Sequence, residues 1–200
     1  MTVLRKAPVA FTPAAARFAI RSERASDVVA REALLDASFG ANRHLRTCQR
    51  LRDGHAPAAG LAFSAVRQGL LIGTVRLWHV SAGGVPALAL GPLAVDPSCR
   101  KLGIGQALVK HALAAAKARG HGAVLLLGDA PYYARFGFSA LKTGELRLPG
   151  PFERDRLLGL ELREGALDGA WGIMVPAGMA APRRKPRFAP RSRKLAPRAA

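Results

Sequence analysis

Residues 93–107, LAVDPSCRKLGIGQA, restrict the fold more than any other part of the chain. An apolar run ends at Asp96-Pro97, a basic R-x-x-G-x-G turn follows, and an amphipathic helix opens behind it. The first few N–H groups of a helix have no acceptor within the helix. Gly103 and Gly105 carry no side chains, so an anion can approach those amides closely. The segment therefore reads as a strand–loop–helix unit that cradles a pyrophosphate, through main-chain groups near Leu102, Gly103, Ile104, Gly105 and Gln106. Each amide bond to a charged group contributes roughly 1.5–3 kcal/mol, against about 0.3–1 kcal/mol for the helix dipole. Exposed contacts from Arg100 or Lys101 contribute less than about 1 kcal/mol. The glycines are thus more diagnostic than the charges. Taken alone, G-x-G also suits a turn that needs glycine only for its geometry. Two other phosphate motifs fit poorly. A dinucleotide fingerprint read from Gly103 has Leu108 where a small residue is needed, and no G-K-[ST] occurs.

The string L-G-P-L-A-V-D-P, then R-K-L-G-I-G-Q-A, then a helix resembles motif A of the Gcn5-related N-acetyltransferases (GNAT), whose signature is [RQ]-x-x-G-x-[GA]. Gly128-Asp129-Ala130-Pro131-Tyr132-Tyr133-Ala134-Arg135-Phe136-Gly137-Phe138 is similar to that family's Y-x-x-x-G-F ending, and the two together resemble its YhbS-like branch. The resemblance spans residues 17–176 and is strongest from Leu90 to Phe138. It implies an α/β (α+β) acyl-CoA N-acyltransferase fold, with a central mixed, mostly antiparallel sheet flanked by helices and splayed at the fourth strand. It also implies acetyl-CoA as acyl donor.

Two hundred residues accommodate one domain with appendages. Residues 1–16 read as a disordered basic leader, 17–176 as the domain and 177–200 as a disordered basic tail. In the opening stretch Pro8 and Pro13 break up the apolar residues, and no secretory core is present. The tail holds Arg183, Arg184, Lys185, Arg187, Arg191, Arg193, Lys194 and Arg198 among prolines with no acid, which accounts for eight of the net +18 charges. It suits salt-dependent contact with nucleic acid, ribosomes or anionic lipid, or simple solvation. With only Phe188 for an aromatic, it offers no base-stacking platform. Cys48 and Cys99 lack metal or disulfide spacing and suit a reducing, cytoplasmic setting. No apolar run reaches the roughly 18 residues of a membrane helix.

Periodicity predicts a strand over 17–20 and a helix over 25–38 with Val28, Val29, Ala33, Leu34 and Ala37 inward. It places a short helix over 42–52, in the region that the resemblance sets over the acceptor. Strands follow at 61–66, 70–80 and 86–95, the first two joined at Arg67-Gln68-Gly69 and the last pair at residues 81–84. The crossover helix turns Ile104, Leu108, Ala112 and Ala115 to one face, with Gly120 as its cap. Ala123–Leu127, apolar throughout, suits a parallel strand buried on both faces. A short helix at 131–135 and strands from Gly137-Phe138, 155–162 and 170–175 complete the domain.

Gly91-Pro92 interrupts the fourth strand, and a proline that cannot donate to the ladder predicts a bulge there. By resemblance, main-chain amides around Leu93, Ala94 and Val95 then bind the pantetheine arm and polarise the thioester. Tyr133 occupies the general-acid position, Tyr132 and Asp129 stand beside the cofactor, with core packing the other role for Tyr132, and no metal is involved. A phenol of pKa about 10 is protonated at neutral pH and can donate to a departing thiolate. Tyr133 as an aromatic packed on the sheet edge is the alternative. His79 and Asp96 are candidate bases, although Asp96 before Pro97 also suits a turn role. The fourth strand carries no acid, which admits water-mediated deprotonation or an acceptor of low pKa. The expected activity is acetyl transfer from acetyl-CoA to a primary amine of a small molecule or peptide, by direct attack in a ternary complex. A non-catalytic acyl-CoA-binding module recruited to nucleic acid by its tail is the alternative.

Overall fold

The computed structural model describes residues 18–181; the leader and the arginine-rich segment from 182 onward lie outside them. In chain order the strands are β1 (Ala19–Ser22), β2 (Ala62–Arg67), β3 (Leu70–Ala82), β4 (Val85–Val95), β5 (Ala123–Leu127), β6 (Leu146–Arg147), β7 (Leu157–Glu161) and β8 (Gly172–Pro176). The α-helices are α1 (Val28–Phe39), α2 (Ile104–Ala118) and α3 (Ala130–Ala134).

The sheet runs β1-β2-β3-β4-β5-β7 and is antiparallel except at β4–β5. The far end of the long β3 pairs with β8, which also takes β6 alongside in parallel. This is the mixed, mostly antiparallel sheet expected from the sequence. Ala123–Leu127 can be apolar throughout because both its faces are covered. Val124 and Leu126 pack in the core that includes Leu108, Val109 and Ala112 of α2, whereas Ala123 and Leu125 join Leu146, Leu157 and Met174 on the opposite side. Fully burying a leucine such as Leu108 contributes about 1.5–3 kcal/mol, more than propensity supplies at any single position, so packing holds α2 on the sheet. Gly120, at φ +78°, ends that helix. The Gly120 N–H donates to Lys117 and the His121 N–H to Ala116, the paired bonds of a Schellman cap.

Several expectations are corrected. In α1 the buried residues are Arg31, Leu34 and Leu35, whereas Val29, Ala33 and Ala37 face solvent. Arg31 turns inward because Glu23 and Glu32 accept from its guanidinium, so a paired charge takes a place that periodicity assigned to apolar side chains. Residues 41–51 form two 3₁₀ turns instead of one helix. No strand starts at Gly137-Phe138: Phe138 is buried in the core, and Ser139 makes a single bridge to Gly159. The ordered chain also continues past 176. The Ala177 N–H donates to His79, the Ala181 N–H to Gly54, and the Met179 carbonyl accepts from Ala56, so 177–181 belong to the folded unit.

Asp27, 7% exposed, anchors the start of α1. It accepts from Arg21 at 2.6 and 2.8 Å, from the Arg24 N–H at 2.9 Å and from Ser64 Oγ at 2.9 Å, and the Arg21 guanidinium above all holds its carboxyl far below the usual range. A carboxylate with a depressed folded-state pKa stabilises above its unfolded value of about 3.9 and loses that contribution as pH falls below it. Asp27→Asn should therefore lower the melting temperature at pH 7 and narrow the gap to wild type between about pH 4 and pH 2. A constant gap across that range would place the effect elsewhere.

Candidate active site

Strands β4 and β5 are joined only at Leu88–Val124 and Ala89–Leu125; beyond these pairs they part. At the point of parting β4 carries its bulge. Leu90 and Leu93 are three residues apart but pair with Leu77 and Val75, which are two apart. Gly91, at φ +138°, and the cis Gly91-Pro92 bond lie in the bulge, and Trp78 Nε1 donates to the Gly91 carbonyl at 2.6 Å. The Asp96 N–H donates to Ile72 of β3. Since successive residues of a strand point their amides to opposite edges, Leu93 and Val95 aim theirs toward the side where β5 has withdrawn. A cavity of about 590 Å³ fills the gap, with Leu93, Leu126 and Tyr133 in its wall.

The basic loop follows the end of β4 and leads into α2, where a Cβ on Gly105 would lie 3.6 Å from Val95 Cγ2. Asp96 Oδ1 accepts from the Ser98 N–H at 2.8 Å and from Ser98 Oγ at 2.6 Å, which caps a 3₁₀ turn and lowers its pKa. This is the turn role, and it leaves Asp96 poorly suited as a base. Lys101 and Gly103 both take positive φ, +68° and +75°. In α2 the first internal bond is from the Ala107 N–H to the Gly103 carbonyl, so the amides of Ile104, Gly105 and Gln106 precede any helical acceptor. The Ile104 side chain is 1% exposed and pins this end of the helix, whereas Arg100, Lys101, Leu102, Gly103 and Gln106 face outward. Ala94 packs against Leu34 and Leu35. A Cβ on Gly105 would stand 3.0 Å from the Tyr132 hydroxyl, so a third kind of donor sits beside the free amides.

Helix α3 sets Tyr133 in the cavity wall and the Tyr132 hydroxyl beside Gly105. Asp129 caps it, Oδ2 accepting from the Tyr132 N–H at 3.0 Å, which engages one carboxylate oxygen within the protein. Arg135 lies over the Tyr132 ring at 4.8 Å. The Tyr133 ring fits against Gly128 so closely that a Cβ there would come within 2.4 Å of its Cε2. Burial, reinforced by Tyr132 and Asp129, pushes the Tyr133 phenol well above its ordinary pKa. It thus stays protonated across the physiological range.

Trp78 lines this cavity but its neighbour His79 does not: His79 borders a separate depression and lies 5.3 Å from the His121 ring. As adjacent strand residues they point to opposite faces, which removes His79 from the candidate bases. Carboxylates in the cavity wall come from Asp129 and Glu153. The periodicity reading gave no sign of Arg43, Arg46, Arg52 and Arg156, which converge on the cavity around Cys48. Arg43 lies in the first 3₁₀ turn, Arg46 between the two, Arg52 just after the second and Arg156 in a further 3₁₀ turn before β7, so no sequence period relates them. Burial raises the Cys48 thiol pKa against the pull of Arg52, Arg156 and Arg46, and the thiol stays protonated. Among the described residues no cluster of three or more His, Cys, Asp or Glu side chains could hold a metal, and no helix is long and apolar enough to cross a membrane.

Comparison with known proteins bears on this arrangement. The model of the acetyltransferase (GNAT) domain matches residues 58–140. The uncharacterized N-acetyltransferase YhbS of Escherichia coli K12 is 31% identical over 157 residues, covering 78% of this chain and 93% of the relative. The fold is similar to the crystal structure of that E. coli protein in complex with CoA, with a TM-score of 0.70, 29% identity and coverage of 86% of this chain and 93% of the other. A Brucella melitensis GNAT family acetyltransferase in complex with acetyl-CoA aligns at TM-score 0.55 and 26% identity, over 76% of this chain and 99% of its own.

Proposed function

The chain belongs to the GNAT family of N-acetyltransferases, and from that premise we propose that it transfers the acetyl group of acetyl-CoA to a primary amine by direct attack in a ternary complex. One observation carries the reading: β4 and β5 part at a bulge, Tyr133 stands in the wall of the resulting cavity, and the free amides of α2 begin beside Val95 and the Tyr132 hydroxyl. The residues fit the donor. The amides of Ile104, Gly105 and Gln106, with the Tyr132 hydroxyl beside them, form a cradle that a Cβ on Gly105 would crowd, as expected for a site taking a pyrophosphate. Arg100 and Lys101 add long-range attraction. The amides of Leu93 and Val95 point where a pantetheine arm would lie as a surrogate strand, and one of them can polarise the thioester carbonyl.

Tyr133 is the proposed general acid. Its raised pKa makes it a reluctant proton donor but a permanent hydrogen-bond donor, so it stabilises the departing thiolate chiefly by hydrogen bonding, and any proton it passes to the thiolate is restored from water. The amine's proton goes to water, since Asp129 is engaged as a cap and Glu153 pairs with Arg156 at 3.2 Å. The catalytic unit takes in the described residues 18–181.

Incubating the purified chain with acetyl-CoA and a panel of amines and peptides should release CoA thiol and add one acetyl group to the acceptor. Binding of acetyl-CoA without thiol release from any acceptor would instead make the domain a non-catalytic acyl-CoA-binding module.

A further inference from the structure

Four guanidiniums border the cavity, and they differ in how the protein accounts for them. Arg43 donates to Glu32 at 2.5 Å and to Asp36 at 2.7 Å. Arg156 pairs with Glu153, and Arg46, exposed, donates to the Phe39 carbonyl at 3.2 Å while lying 5.3 Å from its ring. Arg52 is partly buried, yet its one hydrogen bond runs from Nε to the Cys48 carbonyl at 3.1 Å. Among the described residues no carboxylate lies within ion-pair distance of it. The neighbouring Asp53 is exposed and accepts from Gln49 at 2.6 Å instead. Burial works against the Arg52 charge, Cys48 and Asp53 offset it only in part, and Arg43 and Arg76 nearby add to it.

Partial burial of a guanidinium without a counter-charge is unfavourable, and a chain of paired charges runs from Glu23 through Arg31 and Glu32 to Arg43, one of the charges near Arg52. The fold therefore has the means to neutralise this region but leaves Arg52 unmatched. The planar fork of arginine fits carboxylate and phosphate oxygens in pairs. Phe39, Trp78 and Phe152 supply apolar and aromatic wall to the same cavity.

Resting on the acetyltransferase reading above, we propose that the acceptor amine carries an oxyanion, a carboxylate or a phosphate, which Arg52 binds in the cavity. The substrate is then an amino-acid-like or phosphorylated amine with an apolar body, and polyamines are excluded as acceptors.

Two matched pairs test this: phenylalanine against phenylalanine amide, and O-phosphoethanolamine against ethanolamine. Wild type should prefer the oxyanion member of at least one pair by about 10²-fold in kcat/KM, and the pair showing the preference distinguishes carboxylate from phosphate. Arg52→Met should abolish the preference, with the loss falling on the oxyanion member, while Arg52→Lys retains part of it because charge survives without the fork. Melting temperature and acetyl-CoA titration check that fold and donor site persist in each variant. Parity of both pairs in wild type overturns the proposal, as does equal loss on both members in folded Arg52→Met. If no amine releases CoA thiol, the transfer reading fails by itself. N-acetylphenylalanine, titrated by calorimetry against its amide, then decides the anion site: binding in wild type that Arg52→Met loses supports it, and no binding overturns it.

Discussion

Replacing Tyr133 by phenylalanine should lower kcat by about 10²–10³-fold while leaving the KM for acetyl-CoA nearly unchanged, because the substitution removes one hydroxyl and keeps the ring. The ring is what the fold uses. It packs edge-on against Tyr132 at 4.9 Å and against Phe138 at 5.7 Å, and it closes over Gly128. Stability should therefore hold, and a loss confined to kcat would mark an interaction made only as the thiolate departs. The pH profile adds a second check. The phenol's pKa lies above its ordinary value near 10, so the donor form is full at every lower pH and creates no falling limb below about pH 10. In the variant the whole profile should drop with its acid limb kept in place. Wild-type turnover in Tyr133→Phe would return this residue to the role of a packed aromatic.

The parts of the fold legible in the sequence are those where one local rule decides. β5 could be read because five apolar residues in a row need cover on both faces, and α2 because its buried set Ile104, Leu108 and Ala112 keeps helical spacing. The bulge of β4 followed from a proline that cannot donate to a ladder, and the loop from glycines whose main chain must stay bare. What escaped depends on partners distant in sequence. Arg31 turns inward only because Glu23 lies across from it, and Glu23 is held in turn by Arg76, 53 residues on. Asp129 looks like a ligand-facing acid until the cap of α3 is seen. Phe138 lost its strand because its side chain fills the core between the sheet and α3 while only Ser139 finds a main-chain partner. The acceptor side was the least legible, since Arg43, Arg46, Arg52 and Arg156 share neither a period nor an element.

Gly105→Asp should separate donor binding from stability more sharply than any other change in the loop. The residue is second in α2, where a carboxylate faces the positive end of the helix and contributes about 0.3–1 kcal/mol. Replacing glycine by aspartate in a helix gains only about 0.3 kcal/mol in propensity, and the Tyr132 hydroxyl, 3.0 Å from the new Cβ, can turn to donate to the carboxylate. The melting temperature should therefore hold or rise. Affinity for CoA should collapse, because the same carboxylate takes the amides that a pyrophosphate would use and repels its charge. Two amide bonds to a charged group, at roughly 1.5–3 kcal/mol each, correspond to about 10²–10⁴-fold in Kd. By contrast, Arg100→Gln removes an exposed contact of less than about 1 kcal/mol and should weaken binding by no more than about fivefold. Calorimetric titration of CoA into the three proteins, beside their melting curves, reads both quantities. A Gly105→Asp protein that binds CoA as wild type does would mean that the diphosphate is held by side chains elsewhere, and the reverse ranking of the two variants would mean that charge, not main chain, grips it.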